Sequence, residues 1–177
     1  MAKRRGLMAA AAAMGLLALS PPELKAAQTA TAQMIGVDGK QLGTISLTET
    51  PSGVLILIQM KSIPPGPHGF HLMEAGKCEP PFKSAGNILN PLGAKHGLRS
   101  EEGPSMGDMP NLFAGQNGEI NAELLNPFVT LQPDADGSLL RDSGTAFILR
   151  AEADDHATHP DGNSGARIAC GVIKAGK

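Results

Sequence analysis

The stretch 66-GPHGFHLMEAGKCEP-80 holds two of the chain's five histidines, one of its two cysteines, and a methionine two residues beyond a histidine. Side chains at i and i+2 of a β-strand point to the same side. His71 and Met73 would therefore be offered together, in the way a strand presents two donors to one ion. The stretch reads either as a metal site with a soft ligand or as what is left of one.

Upstream of it the chain alternates. Thr29–Val37, Gln41–Thr50 and Val54–Met60 are strand-like runs, and Asp38-Gly39 and Ser52-Gly53 between them are hairpin signals. From Pro64 to Asn111 the texture changes to Gly, Pro, Asn and charge without a long apolar run, the composition of a long functional loop. Strand-like runs return at Leu112–Ala114, Gly118–Leu125, Phe128–Leu131 and Thr145–Arg150. A second loop, Ala151–Ala166, precedes a final strand at Arg167–Lys174. No sustained 3.6-residue apolar period occurs after the N-terminal segment, so residues 27–177 are predicted to form one all-β domain, a sandwich or barrel with two long loops.

Residues 1–26 are set apart. Lys3, Arg4 and Arg5 precede the apolar run Gly6–Leu19, and Pro21-Pro22 follows. This is the layout of a secretory signal peptide, and the run falls short of the roughly 20 residues a membrane helix needs. Cleavage is placed near residues 26–30. No Cys follows the apolar run, so no lipid anchor of the bacterial type is indicated, and a periplasmic or secreted protein is expected. Losing four cations and one anion with that segment moves the net charge from −2 to about −5. Trp and Tyr are absent. A mildly acidic domain without basic runs or stacking aromatics is a poor match to nucleic acid. Cys78 and Cys170 form an even pair in an exported chain and are read as one structural disulfide.

Five motifs then acquire a common meaning. The segments 66-GPHGFHLME-74, 83-KSAGNILNPLGAKHGL-98, 103-GPSMGDMPNL-112, 151-AEADDH-156 and 162-GNSGARIACGVI-173 closely resemble the copper/zinc superoxide dismutases of the bacterial secreted type, in the same order and over nearly the whole chain after residue 29. The resemblance implies a Greek-key β-sandwich or flattened barrel and a disulfide linking Cys78, in the first loop, to Cys170, on the last strand.

The resemblance also implies a ligand set of six histidines and one aspartate, with one imidazole bridging copper and zinc. This chain departs from it. The copper positions are His71, Met73 and Arg150, the bridging position is Ile88, and the zinc positions are His96, Ser105 and Asp108. Four of seven positions, Met73, Ile88, Ser105 and Arg150, have lost the family residue, and five histidines in all could not supply six. Isoleucine carries no donor atom, and arginine is a permanent cation without an acceptor lone pair. Two zinc donors are fewer than the four of an ordinary structural site. Arg167 matches the arginine that attracts the superoxide anion in the family, and Asp154 matches the carboxylate that orients a histidine of each metal site.

These residues lead to an expectation of a catalytically degenerate, exported dismutase-like domain with a structural or binding role and no cofactor. In it Asp154 is expected to pair with Arg150, and Arg167 with Asp154 or Asp155. Two alternatives stay open. One is superoxide dismutation at an altered His71/Met73 site, since copper(I) favours thioether and imidazole ligands. The other is weak copper or zinc binding aided by His156 and His159. Family members also pair through exposed surfaces, so a homodimer is a candidate state.

Overall fold

The computed structural model describes residues 28–133 and 135–176. The expected signal peptide, residues 1–26, lies outside them. Among the described residues every regular element is a strand except one 3-10 turn at Lys83–Ala85, which agrees with the all-β expectation.

The strands are β1 (Thr29–Gly36), β2 (Gln41–Thr50), β3 (Gly53–Met60), β4 (Gly66–His68), β5 (Phe70–Met73), β6 (Leu112–Ala114), β7 (Ile120–Asn126), β8 (Ala146–Arg150) and β9 (Arg167–Ala175). Seven of them form one antiparallel sheet in the order β5-β8-β9-β1-β2-β3-β7, and β4 pairs with β6. The order departs from chain order where β8 and β9 insert between β5 and β1, so long loops must cross from one side to the other.

The core follows from period-two alternation. β1 buries Ala30, Ala32 and Met34, and β3 buries Val54, Ile56, Ile58 and Met60 while their neighbours stay more open. The curled sheet closes around these residues and around Phe70, Leu72, Phe147 and Leu149. Strands β5 and β8 are instead buried at every position. Their inward face joins the main core, with Phe70 and Phe147 stacked at 5.1 Å. Their outward face, covered by loops, holds Met73, Ala146 and Ile148 in a second cluster with Phe82, Ala85, Ile88 and Cys170. A strand with two buried faces loses the polar alternation by which a strand is recognised. This is why β5 lies hidden inside the expected loop Pro64–Asn111, whereas β4, with Pro67 exposed, is three residues long and too short to show a period.

One expected strand does not form. Phe128–Leu131 is a turn with a single bridge, Thr130 to Ser138. Asn126 Oδ1 accepts from Phe128 N at 2.9 Å, and Pro127 has no N–H to donate. The Glu49 carboxylate then takes the Leu131 amide (2.6 Å), a donor a ladder would need, and also the Thr130 hydroxyl (2.7 Å). The disulfide joins Cys78 to Cys170 as expected, with Cα atoms 5.6 Å apart, pinning the first loop to β9.

Candidate functional site: a metal-type centre rebuilt around two cations

The outward face of β5 and β8 carries the site. Cross-strand pairing sets His71 opposite Ile148 and Met73 opposite Ala146. Arg150, two residues beyond Ile148, therefore points to the same side. The first loop lies over this face through a bridge from Met73 to Ile88 and another from His71 to Asp108. Close backbone approach holds it there: Leu72 N donates to Gly107 O and Leu89 N to Leu72 O, both at 2.9 Å. A side chain on Gly107 would meet the Leu72 carbonyl and Ile88.

Asp154 is the hub. One of its oxygens accepts from His71 Nε2 at 2.7 Å and the other faces His96 Nε2 at 3.1 Å. The other His96 nitrogen, Nδ1, lies 2.6 Å from Asp108 Oδ1. Asp108 Oδ2 accepts the amides of Gly97 and Ser105, both at 2.8 Å. All four side chains are essentially inaccessible to water. Asp154 is itself clamped by Asn111, whose amide donates to the Asp154 carbonyl and accepts from its N–H, each at 2.8 Å. Gly162 crosses over this hub with φ +63, and any side chain there would collide with the Asp154 carboxylate.

Charge follows from these contacts. Burial alone would push His96 down, but it is outweighed by hydrogen bonds and attraction from Asp108 and Asp154, which lift it to about 9. Doubly protonated, His96 donates from both nitrogens and keeps no lone pair. Burial raises both carboxylates, yet their imidazole and amide donors hold Asp108 and Asp154 below the usual carboxylate range. For His71 burial prevails over its bond to Asp154 and pushes it down. The neutral ring donates through Nε2, and Nδ1 is buried without a partner among the described residues.

The remaining residues correct two expectations. Arg150 does not pair with Asp154. One of its terminal nitrogens is ion-paired with Asp161, and the other donates to the Gly165 carbonyl at 2.9 Å. Both Asp154 oxygens are already taken by the imidazoles, so the guanidinium bonds to the far limb of the same loop. Arg167 pairs with neither Asp154 nor Asp155. It donates to the carbonyls of Phe82 (2.7 Å) and Gly86 (2.8 Å), bracing the loop next to the disulfide. Asp155 is consumed locally by the amides of Ala157 and Thr158.

The sequence-predicted site residues largely converge. Met73, Ile88, His96, Ser105, Arg150 and Arg167 line one cavity of about 380 Å³ with Asp161 and His159. Among the described residues one group brings three donors together, His71, His96 and Asp108, with ligand atoms within 4.8 Å of one another. His156 and His159 are outside it. Asn111 and Asp161 escaped sequence reading, because an isolated polar residue in a loop gives no periodic signal.

The residues do not fit the two-ion centre that the resemblance implies. His71 Nδ1 is a buried lone pair without a partner among the described residues, but the positions that would complete a copper set hold a thioether, a hydrocarbon and a guanidinium. On the other side, His96 has both nitrogens bound to carboxylates.

Comparison with known proteins places the geometry. Residues 41–173 match the family model for copper/zinc superoxide dismutase. A copper/zinc superoxide dismutase of Aquifex aeolicus is 46% identical over 147 residues, covering 82% of this chain and 86% of that one. A superoxide dismutase-like protein of Bacillus subtilis is 38% identical over 159 residues, covering 86% and 81%. The crystal structure of a SOD-like protein from Bacillus subtilis superimposes with a TM-score of 0.78 at 39% identity, covering 80% of this chain and 96% of that one. On this sequence and fold evidence the chain belongs to the copper/zinc superoxide dismutase family.

Proposed function

We propose that this protein is an exported, catalytically degenerate member of its family, in which the loops once tied by metal ions are tied by hydrogen bonds and an ion pair. It serves a structural or binding role. The observation that carries this reading is the buried Arg150 guanidinium, held by Asp161 and Gly165 where a copper-binding imidazole is expected. Redox turnover of superoxide needs a metal that alternates between two oxidation states in an open nitrogen site. A fixed cation with no lone pair repels such an ion and donates nothing to it. Export to the periplasm or beyond is supported by the Cys78–Cys170 disulfide and the N-terminal signal-type segment.

The test is metal analysis and a superoxide assay on mature, disulfide-bonded protein after exposure to copper and zinc. Substoichiometric copper and negligible turnover are expected. Near diffusion-limited dismutation would overturn the reading. The combined restoration Met73→His, Ile88→His, Ser105→His and Arg150→His should regain copper and activity.

A second reading is favoured by the unpartnered His71 Nδ1, which shares its strand face with Met73. These two groups suit copper(I) better than copper(II). Titration with each ion separates the readings, and binding no tighter than micromolar would eliminate the second.

A further inference from the structure

The cavity that replaces the copper half of the site is lined by two arginines, Arg150 and Arg167. Each guanidinium has five N–H donors in a rigid fork. Arg150 uses one terminal N–H on Asp161 and one on the Gly165 carbonyl, and Arg167 uses two on the Phe82 and Gly86 carbonyls. Each therefore keeps three N–H groups without a protein acceptor among the described residues. The Arg150 side chain is only 6% exposed, and its Nε is buried with no partner. An unmet donor on a buried cation carries a desolvation cost that an anionic acceptor would remove.

The four carbonyl and carboxylate contacts hold both planes in place. Burial, and then the nearby charge of Arg150, push Arg167 below its ordinary value, so the two cations feel each other. The cavity's carboxylates do not cancel this surplus of donors. Glu74 takes both the backbone and the side-chain amide of Asn87 on Oε1 alone, and Asp161 sits on one edge of Arg150 with its side chain 39% exposed, two carboxylates against six unmet N–H groups. Asp161 shows that the edge accepts a carboxylate, and its exposure lets an incoming anion share or displace it.

We propose that this cavity is a receptor for a small oxyanion, of carboxylate or phosphate type, gripped between Arg150 and Arg167. The inference deepens the binding role proposed above and rests on copper being absent from this half of the site. It is distinct from steering a substrate to a metal, because the residue that makes the receptor, Arg150, occupies a metal-ligand position.

The experiment uses mature protein freed of metal, with arginine Nε–H signals followed by proton–nitrogen correlation during titration with acetate and, separately, inorganic phosphate. Chloride at matched ionic strength controls for screening. A saturable shift of the Arg150 Nε–H is expected with at least one of the two anions, and the pair of titrations identifies which class binds. Arg150→Gln should weaken binding about tenfold, the worth of one charge-assisted hydrogen bond. Asp161→Asn, which keeps an oxygen acceptor beside Arg150 but removes the competing charge, should tighten it, with folding of the variant checked by urea unfolding. No saturable shift up to about 10 mM of either anion, beyond which affinity is negligible, would overturn the proposal. So would a shift confined to Arg167, or an affinity unchanged by Asp161→Asn. Failure of the degenerate-enzyme reading shows up separately, as bound copper and turnover.

Discussion

Arg150, at the end of β8, is ion-paired with Asp161, eleven residues further along the loop that returns to β9. The pair closes the loop on itself over the site. A buried guanidinium left without its carboxylate is costly, though the half-exposed Asp161 lets water compensate part of that loss. Asp161→Ala is expected to destabilise the protein by about 1–3 kcal/mol, measured by urea unfolding. A chelator should leave the midpoint of the unmodified protein where it was.

The hub of Asp154 predicts a stability curve with two flanks. His96 has a folded pKa of about 9, raised from 6.5, so its contribution is complete below pH 6.5 and is lost as pH rises through 9. His71 is shifted the other way, so its contribution is complete above 6.5 and declines as pH falls below it. Asp108 and Asp154 are lowered, so theirs is lost only on acidification through the carboxylate range, below their ordinary value of 3.8. Melting temperature should therefore peak close to pH 6.5. His96→Gln should flatten the alkaline flank, and an unaltered flank would count against the imidazolium.

Asn111 clamps both backbone groups of Asp154 and lies 3.2 Å from His156 Nε2. Asn111→Ala strands two polar backbone groups and is expected to cost about 2 kcal/mol. Amide exchange should accelerate across residues 151–166 and leave β1–β3 unchanged. A uniform change would show that the clamp is not local.

The disulfide closes a 92-residue separation. On chain-entropy grounds Cys78→Ser with Cys170→Ser should lower unfolding free energy by about 4 kcal/mol. The first loop, which Arg167 braces through Phe82 and Gly86, should gain proteolytic sensitivity before the sheet does.

Legibility in sequence followed the physics of each feature. Strands β1, β2, β3 and β7 are readable because one face is more open than the other, and alternation records that. Strand β5 is not, because both faces of Phe70–Met73 are dry and its four residues sit among Gly, Pro and His, whereas the equally buried β8 is marked by the continuous apolar run Ala146–Leu149. Phe128–Leu131 has the composition of a strand but is turned by Asn126 and Glu49, the latter 81 and 82 residues from the groups it binds, and no local rule includes that partner.

The replacements Met73, Ile88, Ser105 and Arg150 were legible outright, since whether a side chain carries a donor atom is a property of the residue. The same holds for the two cysteines. Which partners the survivors take was decided only in three dimensions. Asp154, Asp155 and Asp161 are all within reach of Arg150 by chain length. Two imidazoles had already claimed Asp154, local amides had claimed Asp155, and the return of the loop at Gly162 brought Asp161 to the guanidinium. The sequence by itself determined which side chains stand at the positions that the family resemblance marks for metal ligands. The tertiary structure decided which partners those side chains take, because hydrogen-bond partners are allotted by geometry among competing groups and not by their order along the chain.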